Sequence, residues 1–137
     1  MTAMSIASTI AVSGMNAAAL RLQISASNVA NVQSSGPLPD SGSAGSYPPA
    51  YNARTVNQTA MPDGTTFATI APVLPGTVKS WNPGASYADA QGMVASPNVD
   101  LANEAVQQMM AGLTYAANAA VVRADNQMTS ALLNVFA

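Results

Sequence analysis

Residues 99–135 read VDLANEAVQQMMAGLTYAANAAVVRADNQMTSALLNV. Apolar side chains recur there at steps of three and four: Val106, Met109 and Met110, Leu113, Ala117, Ala120 and Val121, Ala124, Met128, Ala131 and Leu132, Val135. That rhythm marks one face of an α-helix. A second stripe lies beside it: Leu101, Ala105, Gln108, Gly112, Tyr115, Ala119, Val122. Two contact stripes mean a helix covered from more than one side. Asn98 or Asp100 can cap its start, and Asp100 with Glu104 puts negative charge at the positive end of the helix dipole.

The other end of the chain looks the same. From about Ala3 to Val32, one stripe runs Ile6, Ile10, Ser13, Ala17, Leu20, Ile24, Ser27, Asn31. A second runs Met4, Ser8, Ala11, Met15, Ala18, Leu22, Ser25, Val29. The steps alternate three and four, a heptad rhythm. Gly14 weakens this helix locally by about 1 kcal/mol relative to alanine. Asn28 and Asn31 stand at its end. They are either ordinary C-caps or a hydrogen-bonded junction with the segment that follows.

Residues 34–97 resemble neither end. Ser34 to Pro49 is rich in Ser, Gly and Pro, which predicts a loop with no strong structure of its own, either flexible or ordered only by packing on neighbours. Tyr51–Ala60 suits a strand, Met61-Pro62-Asp63-Gly64 a tight turn, and Thr65–Ala71 a returning strand. A third strand is expected within Val73–Trp81, with Asn82-Pro83-Gly84 closing the β part. The predicted fold is therefore α+β: an N-terminal helix (1–33) and a C-terminal helix (98–137) pairing as an antiparallel coiled coil, around a small β-rich insert (34–97).

Only 7% of the 137 residues are charged, against about 25% in ordinary soluble domains. So sparsely charged a surface is poorly soluble when bare, which implies that partners cover much of it. Arg21, Arg54, Lys79 and Arg123 are scattered, so no basic face exists for nucleic acid. No apolar run approaches the roughly 18 residues of a membrane span. The N-terminus lacks the basic start of a secretory signal, so no cleaved signal peptide is expected.

Catalytic chemistry finds little to use. The chain has no histidine and no cysteine, which removes the commonest metal ligands, bases and thiol nucleophiles. Asp89, Asp100 and Glu104 read as loop solvation and helix capping rather than as an acid/base pair. The eight methionines sit at helical spacing among alanines and read as packing material. No cofactor, metal or small-molecule substrate is expected.

Three short stretches carry a resemblance. Ser25-Ala26-Ser27-Asn28-Val29-Ala30-Asn31 resembles the SxxNxAN signature of bacterial flagellar rod and hook proteins. Asn98-Val99-Asp100-Leu101-Ala102-Asn103-Glu104-Ala105-Val106 resembles their C-terminal NVDxxxEMV motif, and Tyr115-Ala116-Ala117-Asn118 their YxAN. Each is weak alone, but all three occur in order and at the right ends. The short length, Tyr51-Asn52-Ala53-Arg54-Thr55-Val56 and Ala88-Asp89-Ala90-Gln91-Gly92-Met93-Val94 resemble the proximal rod members of that family.

The resemblance implies an axial subunit of the flagellar basal body, exported through the flagellar type III apparatus. Its partners would be copies of itself and other rod proteins. The terminal helices would line an inner tube that carries torque across the periplasm to the hook. Ile6, Ile10, Met15, Leu20, Leu22, Ile24, Asn28, Asn31, Asn98, Asp100, Val106, Met110, Leu113, Tyr115, Ala117, Asn118, Met128 and Leu132 are the expected subunit-interface residues. A carboxylate at Leu22 or Ala117 is expected to abolish assembly. A second reading, a secreted helical module whose β insert binds a partner or the cell wall, fits the same composition.

Overall fold

The computed structural model describes residues 5–136. Helix α1 (Ile6–Ala30) and helix α2 (Leu101–Phe136) enclose four strands: β1 (Arg54–Ala60), β2 (Thr66–Pro72), β3 (Thr77–Trp81) and β4 (Met93–Pro97). The α+β class and the order of elements agree with the sequence reading. Residues 1–4 and 137, assigned above to the two terminal helices, lie outside the described residues.

α1 begins where Ser5 accepts the amide of Ser8 at 3.1 Å and ends at Asn31, whose side chain donates to the carbonyl of Ser27 at 2.8 Å. α2 begins at Asp100, whose Oδ1 accepts the amides of Ala102 (2.9 Å) and Asn103 (3.4 Å). At about 1.5 Å per residue, α1 is about 37 Å long and α2 about 54 Å. They pack antiparallel. Ser5 and Ser8 meet Asp125, Gly14 lies against Asn118, and Ser25 meets Glu104. α2 therefore runs on past the described start of α1.

The two stripes of α1 face nearly opposite directions, and the chain itself covers most of both, leaving Ile6, Ile10 and Leu22 exposed. Ser8, Ala11, Ala18 and Ser25 are buried toward α2, where only small side chains fit. Ala17 and Ile24 are buried on the other face, along which the β1–β2 hairpin lies. α1 is thus the middle layer between α2 and that hairpin. The contact face of α2 is mostly small or polar too: among the described residues Glu104, Gln107, Gln108, Ala111, Asn118, Ala119, Val122 and Asp125 are its covered positions, whereas Leu101, Ala105, Gly112 and Tyr115 of the second stripe stay exposed.

The hairpin pairs Arg54↔Pro72 through Ala60↔Thr66. Two strands alone are marginal, and α1 supplies the missing support. Arg54 at the base donates its amide to Asn28 Oδ1 (3.1 Å), and Thr66 near the tip donates its amide to Ser13 Oγ (3.0 Å). Both amides point away from the partner strand, so α1 satisfies one open edge at each end of the ribbon.

Two features correct the sequence reading of the insert. The third strand does not close the β part: β3 opens a second hairpin with β4, paired Thr77↔Pro97 to Trp81↔Met93. β4 escapes notice because its five residues have no alternation and run straight into the helix cap. The Ser/Gly/Pro segment is also anchored within the chain. Gly36 exchanges both backbone hydrogen bonds with Ala95 (3.0 and 2.9 Å), and Leu38 packs with Ala50, Ala95 and Met93 in a small core. Tyr47 stacks at a tilt on Tyr87, 5.5 Å between centroids, and the Tyr87 hydroxyl bonds Ser35 at 2.7 Å.

Gly36 is buried at this anchor, and a Cβ there would run into the Ala50 amide and lie 2.7 Å from the Pro48 carbonyl oxygen. Backbone cannot swing aside as a side chain can. Gly36→Ala is expected to cost about 2 kcal/mol in denaturant unfolding, whereas Gly42→Ala, with open space around it, should change nothing measurable.

Candidate assembly surface and the junction that supports it

Asn28 is the hub where the first helix, the insert and the second helix meet. It is 2% exposed, and all four of its hydrogen-bonding positions are filled. Nδ2 donates to the Arg54 carbonyl and to Glu104 Oε1, both at 2.7 Å. Oδ1 accepts the Tyr51 hydroxyl at 2.9 Å and the Arg54 amide at 3.1 Å. Two donors and two acceptors surround it in the matching places, so the orientation of its amide is determined by its neighbours. The network continues outward. Arg54 donates from Nε to the Tyr51 oxygen (3.3 Å) and from Nη2 to Ser27 Oγ (3.2 Å), with its guanidinium 5.6 Å from the Tyr51 ring centre. Because the one Tyr51 proton goes to Asn28, Ser27 donates to Tyr51 across their 3.1 Å contact.

A cleft of about 400 Å³ opens beside this hub, lined by Arg21, Ile24, Asn28, Arg54, Asp100 and Glu104 among others. On the other side of Glu104, Ser25 donates to its backbone carbonyl at 3.1 Å. One acidic residue thus ties α2 twice to the end of α1, and through Asn28 to the first strand. At the far end of the helix pair Asp125 does the same for the start of α1. Its Oδ2 accepts the Ser5 hydroxyl at 2.6 Å and the Ser8 hydroxyl at 2.7 Å. These two bonds, Ser5 first, hold its carboxyl below the ordinary value of 3.8. A lowered carboxyl stabilises the fold above that ordinary value, and the contribution is lost as pH falls through the lowered one.

The largest apolar side chains of α2 point away from all of this. Val106, Met109, Met110, Leu113, Val121, Met128, Leu132 and Val135 are exposed; Leu113 is 73% exposed and Val135 79%. Most lie on the side of the helix opposite Gln108, Ala111, Asn118 and Val122. Between Glu104 and Arg123 this face carries no charge.

The comparisons with known proteins bear on this geometry. The model of the flagella basal body rod protein matches residues 9–37, which cover α1 and the asparagine hub. The model of the flagellar basal body rod FlgEFG protein C-terminal region matches residues 90–135, which cover β4 and α2. The flagellar basal-body rod protein FlgC of Agrobacterium fabrum is 30% identical over 141 aligned positions, spanning 98% of this chain and 96% of the relative. The chain belongs to the flagellar basal-body rod protein family. It is a structural subunit of the rod, and its place is the flagellar basal body. Nothing in these matches supports a secreted binding module outside the flagellum.

In this rod protein the expected interface residues fall into two groups. Ile24 and Asn28 are buried within the chain, and Met15, Leu20, Asn31, Asn98 and Asn118 are half-buried. Asn98 donates to the Pro75 carbonyl at 2.9 Å and Asp100 caps α2, so both serve the start of that helix. Ile6, Ile10, Leu22, Val106, Met110, Leu113, Tyr115, Ala117, Met128 and Leu132 stay open to a neighbour. Tyr51, Arg54, Ser5 and Asp125 lie outside the expected set, and Ser8 and Ser25, members of a contact stripe, act as hydrogen-bond donors to α2. One signal could have found Asp125: Glu104, Arg123 and Asp125 are the only charged residues of α2, and a carboxylate in so poorly charged a helix needs hydrogen-bond donors.

Proposed function

We propose that this rod subunit, of the proximal type, polymerises helically with copies of itself and with other rod proteins through the outward face of α2. The observation that carries the reading is the separation of that helix into two faces. A small, polar face lies on α1, and an uncharged face with the large apolar residues faces outward. Such a face is poorly soluble alone and gains by burial against a neighbour. The antiparallel helices act as a short coiled coil that neighbouring copies extend into the wall of an inner tube. Open-ended stacking uses unlike surfaces on successive copies. The resulting dry contacts deform little, because packed interiors are stiff, and so carry motor torque across the periplasm to the hook. The subunit reaches its place through the flagellar type III export apparatus, and it has no catalytic role.

Circular dichroism tests the reading. Helicity of the purified chain should rise as it assembles, because most helical stability comes from packing. No rise in helicity on assembly would count against it. Under the reading, deleting the protein leaves cells without filaments.

A further inference from the structure

The first turn of α1 contains no acidic residue. Its opening sequence, Ser5-Ile6-Ala7-Ser8-Thr9-Ile10-Ala11-Val12-Ser13-Gly14, is crowded with β-branched residues, serines and a glycine, all below alanine in helix propensity. Alone it is a poor helix start. The missing negative charge comes from the other end of the chain. Asp125 sits on the α1-facing side of α2, three heptads from Glu104, and one of its carboxylate oxygens receives the hydroxyls of both Ser5 and Ser8.

The two serines are linked as well. Ser5 Oγ accepts the Ser8 amide and donates its own proton to Asp125, while buried Ser8 donates its hydroxyl to the same carboxylate. An ionised acceptor strengthens both bonds, and a carboxylate at this end opposes the α1 dipole. No charged side chain of α1 occurs before Arg21.

We propose that Asp125 is a latch for α1: the N-terminal half of that helix forms only after α2 is helical and docked through residue 125. The first helix in the sequence is then completed last. The other half of α1 is held by Asn28 on the insert and on Glu104, at the start of α2, and does not wait for residue 125. This inference rests on the fold alone and stands or falls apart from the assembly reading.

Hydrogen–deuterium exchange on the full-length chain tests it. In Asp125→Asn the amides of residues 9–13 should exchange about tenfold faster or more, while those of residues 20–30 stay within about twofold of the wild type. Equal acceleration along the whole of α1, or none, overturns the latch. Ser8→Ala provides a second, milder variant. Helix propensity predicts slower exchange for it, because alanine is the better helix former; the latch predicts faster exchange confined to the same amides, and slower or unchanged exchange overturns it. In pulse labelling of refolding wild-type chain, residues 9–13 should become protected after residues 105–122. Protection at the same time or earlier refutes the proposed order.

Discussion

Asn28→Ala is expected to lower the stability of the chain by about 3 kcal/mol, seen as a lower denaturant midpoint with an unchanged slope. The cavity itself is small. The larger loss comes from the partners left behind: the Arg54 amide and carbonyl, the Tyr51 hydroxyl and Glu104 Oε1 all bond to this one side chain. Buried donors and acceptors without partners each cost about 1–3 kcal/mol, partly recovered where water enters from the adjoining cleft. Asn28→Asp separates shape from hydrogen-bond count. It keeps the volume but has no donor when ionised, and it faces the Arg54 carbonyl and the Glu104 carboxylate. At neutral pH it should be at least as damaging as alanine. Protonation restores a donor, so the gap between the aspartate variant and the wild type should narrow as pH falls. Equal stability of the two at pH 7 would show that the amide's donors are dispensable.

Leu113→Glu should remove motility altogether and leave the isolated chain nearly unchanged. Leu113 is 73% exposed and makes no part of the α1 contact, so its replacement should alter stability by no more than about 0.5 kcal/mol. In an assembled rod the same carboxylate would be carried into an uncharged, apolar contact, where it costs several kcal/mol and recurs in every copy. Ala117→Glu, four residues on along the same side, should behave alike. The readouts are swimming, subunit recovered in isolated basal bodies, and unfolding of the purified chain. Normal motility in both variants would place the interface elsewhere. Asn28→Ala offers the contrast: it damages the subunit itself, whereas Leu113→Glu spares the subunit and blocks only its stacking.

Much of the architecture was legible because it depends on local periodicity. The three-four spacing of α1 and α2, the Asp100 cap, the turn at Met61–Gly64 and the β1–β2 pairing each depend on residues near one another in the chain. The asparagine motif and the Tyr-Ala-Ala-Asn motif also marked the ends correctly as rod-like. β4 was missed because five residues without alternation leave no pattern. The anchoring of the Ser/Gly/Pro segment was missed because its cause, the Gly36–Ala95 exchange, joins residues far apart in sequence.

By itself, then, the sequence determined two helices with two stripes each, an insert between them, a surface too poor in charge to stay bare, and membership of the rod family. Only the tertiary structure decided which stripe goes where. Most of both stripes of α1 is covered inside the chain, because the β1–β2 hairpin lies on one and α2 on the other. α2 turns inward a face running through Gln107, Ala111, Asn118 and Asp125, which neither of its two stripes contains, and turns its methionines and leucines outward. The physical reason is that small side chains let the helices approach closely, and the carboxylates of Glu104 and Asp125 find their hydrogen-bond donors, Asn28, Ser5 and Ser8, across that seam. Periodicity can say that a helix has two faces. It cannot say which face the fold will leave uncovered, because that depends on where distant polar groups meet.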